Sequence, residues 1–307
     1  MTKSGVTILG IYVADLAFRA SRQPNMGETL LGTSFSMGPG GKGSNQAVAA
    51  ARAGAAVTFI TKLGKDNFGD AALAMYAKEG VAVHAPQDPN NSTGAAYIFL
   101  EEKTGSNAII VVPGAAGTIS VADVEDNSAA ISNAAIFITQ LEQPIPAAIR
   151  ALEIAKAAGT TTIFNPAPAA PLPDSIFKLC DYITPNESEA TMLTGIEVTD
   201  INSARQAADV LLSKGVGTVL ITLGGQGSLL HDKSQSIHVP IFKAGKVVDT
   251  TGAGDAFNGG FAAALSRGES PESAARFGSA VAGISVTRPG TAPSMPYLEE
   301  VKALLAG

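Results

Sequence analysis

Short apolar runs of strand length recur along the chain, at residues 6–13, 55–61, 136–141, 161–164, 182–184 and 218–223. Between them lie segments of helical period. Ile145, Ile149 and Leu152 mark one helical face, Ala207, Val210 and Leu211 another. Phe257, Phe261, Ala264 and Leu265 recur at i, i+4, i+7 and i+8 on a third. This alternation predicts an α/β protein with a mostly parallel sheet and helices on both faces. A different pattern runs through residues 93–100 and 107–112, two apolar strands joined by a polar turn. They predict a hairpin, which could form a small second sheet with the more exposed run 29–37. Ligands of parallel sheets bind beyond the carboxyl ends of the strands. Asp15, Glu142, Asn165, Asn186 and Thr222 all fall at or just past such ends, which predicts one shared cleft.

Composition narrows the partners. The chain has 307 residues, 46% hydrophobic and 16% charged, enough for a large core. A net charge of −6 and the lack of a long basic run argue against nucleic acid as the main partner. No apolar stretch approaches the roughly 18 residues of a membrane span. The N-terminus carries no signal-peptide pattern, and the one cysteine, Cys180, cannot form an internal disulfide, so a cytoplasmic location is expected. His84, His231 and His238 are scattered and form no zinc constellation with it.

Two glycine-rich turns carry the candidate chemistry. The first is Gly38-Pro39-Gly40-Gly41-Lys42-Gly43-Ser44-Asn45-Gln46, read as a loop before an Ala-rich helix at 47–53. It contains a formal G-x-G-x-x-G, the dinucleotide fingerprint. That fingerprint needs an acidic residue at the end of the next strand, and Lys62 stands there instead. The second turn, Gly252-Ala253-Gly254-Asp255, opens the Phe257 helix. Unpaired N–H groups and the helix dipole make such a start an anion site. Asp255 there is either a helix cap or a catalytic base. No P-loop is present, since Gly41-Lys42 and Gly245-Lys246 lack its spacing and its Ser/Thr. Asn186-Glu187-Ser188-Glu189 reads equally as a capped helix start, and the turn from Thr222 through Gly224 and Gly225 to Gly227 as a tight hairpin.

Asp249-Thr250-Thr251-Gly252-Ala253-Gly254-Asp255-Ala256-Phe257 resembles the second signature of the ribokinase-like (pfkB) family of carbohydrate kinases, and the Gly40–Gln46 run resembles the first. The resemblance extends from Val6 to Ala303 and sits nearest the ribokinases and deoxyribokinases. It implies a three-layer α/β/α sandwich, one domain over 1–307, with a β lid from about 12–37 and 93–112. It implies transfer of the γ-phosphate of ATP to a primary hydroxyl of a pentose, ribose or 2-deoxyribose. Gly252, Ala253 and Gly254 would form the anion hole and Asp255 the base. Val13, Asp15, Gly41, Lys42, Asn45 and Glu142 would face the sugar. Asn186, Glu189, Thr222, Gly224, Gly225, Gly227 and Ser279 would serve the nucleotide and its Mg²⁺. Asp249, Thr251, Ser285, Arg288, Gly290 and Ser294 match positions that hold K⁺, largely through backbone oxygens. Two lids would pair into a homodimer. One departure concerns the substrate: ribokinases typically carry Asn where this chain has Val13, whereas deoxyribokinases carry an apolar residue. A kinase for a hexose or a nucleoside, or a non-catalytic sugar- or nucleotide-binding regulator, remains an alternative.

Overall fold

A computed structural model describes residues 3–307. Its main sheet has nine strands in the spatial order Ser236–Val239, Ser228–His231, Thr218–Thr222, Tyr182–Ile183, Thr161–Phe164, Ile136–Thr139, Val6–Leu9, Val57–Ile60, Ala82–His84. Only the pairings made by Ser228–His231 are antiparallel. The inner strands are largely apolar on both sides because both faces are covered, as parallel sheets require. Ile8, Phe59, Ile138, Ile163 and Leu220 face one core with the helices Lys42–Arg52, Asn67–Glu79, Ala253–Ser266, Pro271–Ser285 and Leu298–Ala306. Leu9, Ile60, Phe137, Phe164 and Ile221 face the other, beneath Ile145–Ala157 and Ile201–Ser213. The strand order reverses beside Val6–Leu9, since the chain first builds toward Ala82–His84 and then returns on the other side to Ile136–Thr139. A crevice opens at such a switch point, beyond the strand ends.

A second sheet of four strands, Ser34–Gly40, Val13–Ala20, Thr93–Glu101 and Asn107–Gly114, stands at that end. The predicted hairpin is present, with Ala95 opposite Val112 and Leu100 opposite Asn107. Three expectations are corrected. The run at 6–13 is two strands, not one. It breaks at Gly10, where a side chain would lie 2.5 Å from Gln140 Oε1 and 2.8 Å from Gly43 Cα. The strand expected at 29–37 begins at Ser34 and runs through Gly38-Pro39-Gly40, paired with Val13–Asp15. Proline is tolerated there because this is an edge strand. The helix expected at 47–53 starts at Lys42. Its first turn is polar, so apolar periodicity missed it.

Candidate active site

Both glycine turns meet at the crevice. Gly41 has φ +90°, and a side chain there would stand 2.5 Å from the Ile11 carbonyl. Only glycine lets the chain swing from the edge strand into the helix at that spot. The turn brings the Lys42 N–H onto Glu142 Oε2 at 2.7 Å. One helical turn later, Asn45 Nδ2 donates to Asp255 Oδ2 and Gln46 Nε2 to Asp255 Oδ1, each at 3.0 Å. Asp15, on Val13–Ala20, lies against Gly40, whose missing side chain leaves room for its carboxylate. Asn45 Oδ1 is buried without a protein partner. A sugar hydroxyl could donate to it.

Asp255 is not a helix cap. Gly252, at φ +77°, occupies the N-cap position, and both carboxylate oxygens are engaged by Asn45 and Gln46. Ala253 N–H already donates to Thr250 O at 3.2 Å. The N–H groups of Gly252, Gly254 and Asp255 have no protein acceptor among the described residues. They are the free donors of the turn.

Three carboxylates and one ammonium share this space. Burial, then the Asp255 charge, lifts Asp15 to about 6. Burial lifts Glu142 to about 7, against the Lys42 N–H and the Lys42 charge. Asp255 is also pushed up by burial, with Lys42, Asn45 and Gln46 opposing. Burial alone would lower Lys42, but Asp255, Glu142 and Glu189 outweigh it and hold the ammonium charged. Raised carboxylates gathered in a cleft mark a functional site.

Across the turn lies a cavity of about 590 Å³, lined by Thr222, Gly224, Gly225, Gly227, Ser279, Asn186, Ala253 and Gly254, among others. Such a volume suits a drug- or cofactor-sized ligand. Asn186 and Glu189 form a capping box at the start of Glu187–Thr194, so the capped-helix reading of that motif holds. The same arrangement turns Asn186 and Glu187 to the cavity wall. The Thr222–Gly227 turn is a tight hairpin and also cavity wall.

The pfkB family carbohydrate kinase profile matches residues 3–298. The chain belongs to that family. It is 41% identical over 301 residues to the ribokinase of Haemophilus influenzae, covering 98% of each chain. It is 34% identical over 303 residues to the deoxyribokinase of Salmonella typhimurium, again covering 98% of each. The structure of an Arabidopsis thaliana ribokinase complexed with ribose and ATP superposes with a TM-score of 0.91, at 32% identity and over the full length of both chains.

The remaining family positions lie as follows. Val13 shares the strand face of Asp15 but packs over Gly94, in the apolar cluster with Ile11, Ile60 and Ala96. Asp249 accepts from Thr251 N–H at 2.9 Å and Gly290 N–H at 3.0 Å, which ties the loop before the anion turn to the segment after Pro271–Ser285. Burial raises its carboxyl, but these bonds prevail and hold it low. The side chains of Ser285, Ser294 and Arg288 turn to Ala282 O, Thr291 O and Glu300. A cation there would therefore meet backbone oxygens. No group of three or more His, Cys, Asp or Glu suited to a metal exists among the described residues. Mg²⁺ keeps several waters and binds through one or two carboxylates plus substrate phosphates. Glu189, a buried carboxylate that accepts from the Asn186 N–H at 2.9 Å, could supply one such ligand.

Sequence reasoning missed the cavity wall at Ile241, Phe242, Lys243, Gly245 and Val247, a loop without a motif. It also missed Gln46, Gln140 and Asn258 as site residues. Neutral amides leave no titratable signature.

Proposed function

We propose that this ATP-dependent carbohydrate kinase phosphorylates a pentose, ribose or 2-deoxyribose, on its primary hydroxyl. The observation that carries the reading is the place of Asp255. It is buried between two amide donors, one residue after Gly254, which opens onto the large cavity. ATP occupies that cavity, and the sugar occupies the polar cleft of Asp15, Lys42, Asn45 and Glu142. Asp255 accepts the hydroxyl proton. The freed oxygen attacks the γ-phosphorus, and the bond to the β-phosphate oxygen breaks with its electron pair leaving on ADP. The free N–H groups of Gly252, Gly254 and Asp255 stabilise charge on the transferring group, as phosphoryl transfer demands. Lys42, held charged among carboxylates, adds a cation at the same place. Glu189 would help hold Mg²⁺, which would supply charge neutralisation on the phosphates.

The whole chain acts as one domain, with the four-stranded sheet as its lid. The outer face of that sheet presents Phe18, Phe35, Met37, Ile110 and Val112, all exposed, with the Phe18 and Phe35 rings 4.9 Å apart. A contiguous apolar patch of this kind favours pairing of two lids, and a homodimer is part of this reading. A cytoplasmic location is another, supported by the buried thiol of Cys180. Among the described residues no helix is long and apolar enough to cross a membrane.

Monovalent activation follows from the Asp249 loop. Any cation held by its carbonyls would stiffen the segment that leads into the anion turn. Turnover is expected to be higher in K⁺ than in Na⁺ at matched ionic strength. Equal rates in the two would remove the site.

The choice of pentose rests on Val13. A hydroxyl set against its methyls loses water without replacement, at about 1–3 kcal/mol. Val13→Asn is expected to raise the kcat/KM ratio of ribose to 2-deoxyribose by roughly 5- to 150-fold, since about 1.4 kcal/mol is tenfold. Wild type and variant assayed on both sugars give the answer. An unchanged ratio, or one shifted toward 2-deoxyribose, removes Val13 from substrate choice. Turnover of neither pentose by the wild type would reject the function itself.

A further inference from the structure

The carboxylate of Asp255 stands at one end of a buried chain of amides. Asn165 Nδ2 donates to the backbone carbonyl of Thr184 at 2.9 Å. A backbone carbonyl can only accept, so the nitrogen of Asn165 must face it and its oxygen must face the other way. That oxygen accepts from Gln46 Nε2 at 3.1 Å. The same nitrogen donates to Asp255 Oδ1, while Gln46 Oε1 accepts from Gln140 Nε2 at 2.6 Å. Gln46 and Gln140 are fully buried, and Asn165 is 6% exposed. The direction of every bond is thus fixed from Thr184 O, and Gln46 cannot flip to present its oxygen to Asp255.

Gln140 is pinned in turn where Gly10 and Gly43 cross, as a side chain on either glycine would meet its Oε1. A parallel branch runs from Thr184 Oγ1 to Asn258 Oδ1 at 2.7 Å, and Asn258 Nδ2 donates to Gly254 O at 2.9 Å. The amide chain and the anion turn therefore hang from one residue, Thr184.

We infer that Gln46 is a positioning residue for the base, holding Asp255 in one orientation and keeping it ionised through a neutral donor that cannot turn away. The inference rests on the reading of Asp255 as the base. A neutral amide suits this task. It supports the carboxylate without neutralising it, whereas a cation at the same distance would make it a poorer base. The charged groups acting on Asp255 are Lys42, which favours ionisation, and Asp15, Glu142 and Glu189, which oppose it. With the two amide donors on one side and three carboxylates on the other, loss of one donor shifts the balance toward the protonated acid.

The test is Gln46→Leu, beside Gln140→Leu and Asp255→Asn, assayed for kcat, both KM values and the pH profile of kcat/KM for the sugar. Gln46→Leu is expected to lower kcat about 10- to 100-fold, the scale of one hydrogen bond to a charged group. The acidic limb of the profile is expected to move upward by about one pH unit. The KM for ATP should stay as in the wild type. Gln140→Leu leaves Gln46 Oε1 without its donor and loosens the hold on Gln46, while Asn165 still fixes its direction, so a smaller loss with an upward shift of the same sign is expected. If Gln46→Leu does not fold, Gln140→Leu decides on the same readout. An acidic limb that stays in place, with Asp255→Asn inactive, overturns the inference and leaves the base intact. A fully active Asp255→Asn overturns both.

Discussion

Asp255→Asn is expected to lose about 10²- to 10⁴-fold in turnover, the range for removal of a positioned base, and to fold as well as the wild type. Both halves follow from the same geometry. The carboxylate accepts one amide donor on each oxygen. An amide in its place can accept on one side only. Gln46 is locked, so its donor must keep the acceptor. Asn45 is not locked, because its Oδ1 is without a partner, and a flip lets it accept from the new amide. The hydrogen bonds are therefore recoverable. The charge is not, and with it goes the base proposed to take the sugar proton.

The expected stability carries a definite sign. A carboxyl whose value is raised in the folded state disfavours folding once the pH rises through its unfolded value, and the penalty is complete above its folded value. Asp255 is such a group, through burial above all. Removing its charge relieves that penalty at neutral pH and also lessens the lift on Asp15 and Glu142. Near pH 7 the variant should melt at or above the wild-type temperature. Turnover near normal would end the assignment of Asp255 as base. Lost turnover with a clearly lowered melting temperature would mean that the carboxylate is a structural member of the network.

The inner strands of the central sheet could be read from the chain because they are buried on both faces and so appear as apolar runs. What escaped was decided by contacts between distant segments. Nothing local says that the run at 6–13 must break at Gly10; the crossing with Gly43 and Gln140 does. Gly38-Pro39-Gly40 looks like a loop and is a strand, because Val13–Asp15 supplies its partner. The site divides in the same way. Asp255, Asn45 and Lys42 stood out through turns whose glycines have few other uses. Gln46 stood in the same turn but carried no role, since its partners Asn165, Gln140 and Asp255 come from three other parts of the chain. The cap reading of Asp255 failed for a related cause. Its helical position favours capping, but two side chains about 210 residues away claimed both oxygens first.

The second large effect is expected at Gly254, and glycines of its own helix show why. A side chain at Gly259 would lie 2.5 Å from Ala49 Cβ, and one at Gly260 would lie 2.7 Å from Val281 Cγ2. Those two positions are glycine so that helices can pack. At Gly254 an added Cβ meets nothing within 4 Å, and the residue lines the large cavity. Packing gives no reason for glycine there, and its backbone is helical, so neither does conformation. The reason left is access to the N–H groups of the turn. Gly254→Val would stand two methyls in front of the donors of Gly254 and Asp255. Loss of one such donor costs about 10²- to 10³-fold in kcat. Sugar affinity should hold, because Asp15, Lys42, Asn45 and Glu142 do not line the cavity that Gly254 faces. Melting temperature should hold or rise, since valine is a better helix former than glycine. Gly259→Val gives the contrast, with stability lost through the clash against Ala49. The readings needed are kcat, the KM for each substrate and the melting temperature of both variants. If Gly254→Val weakens only the sugar, the turn belongs to sugar binding and the transferring phosphoryl group is stabilised elsewhere.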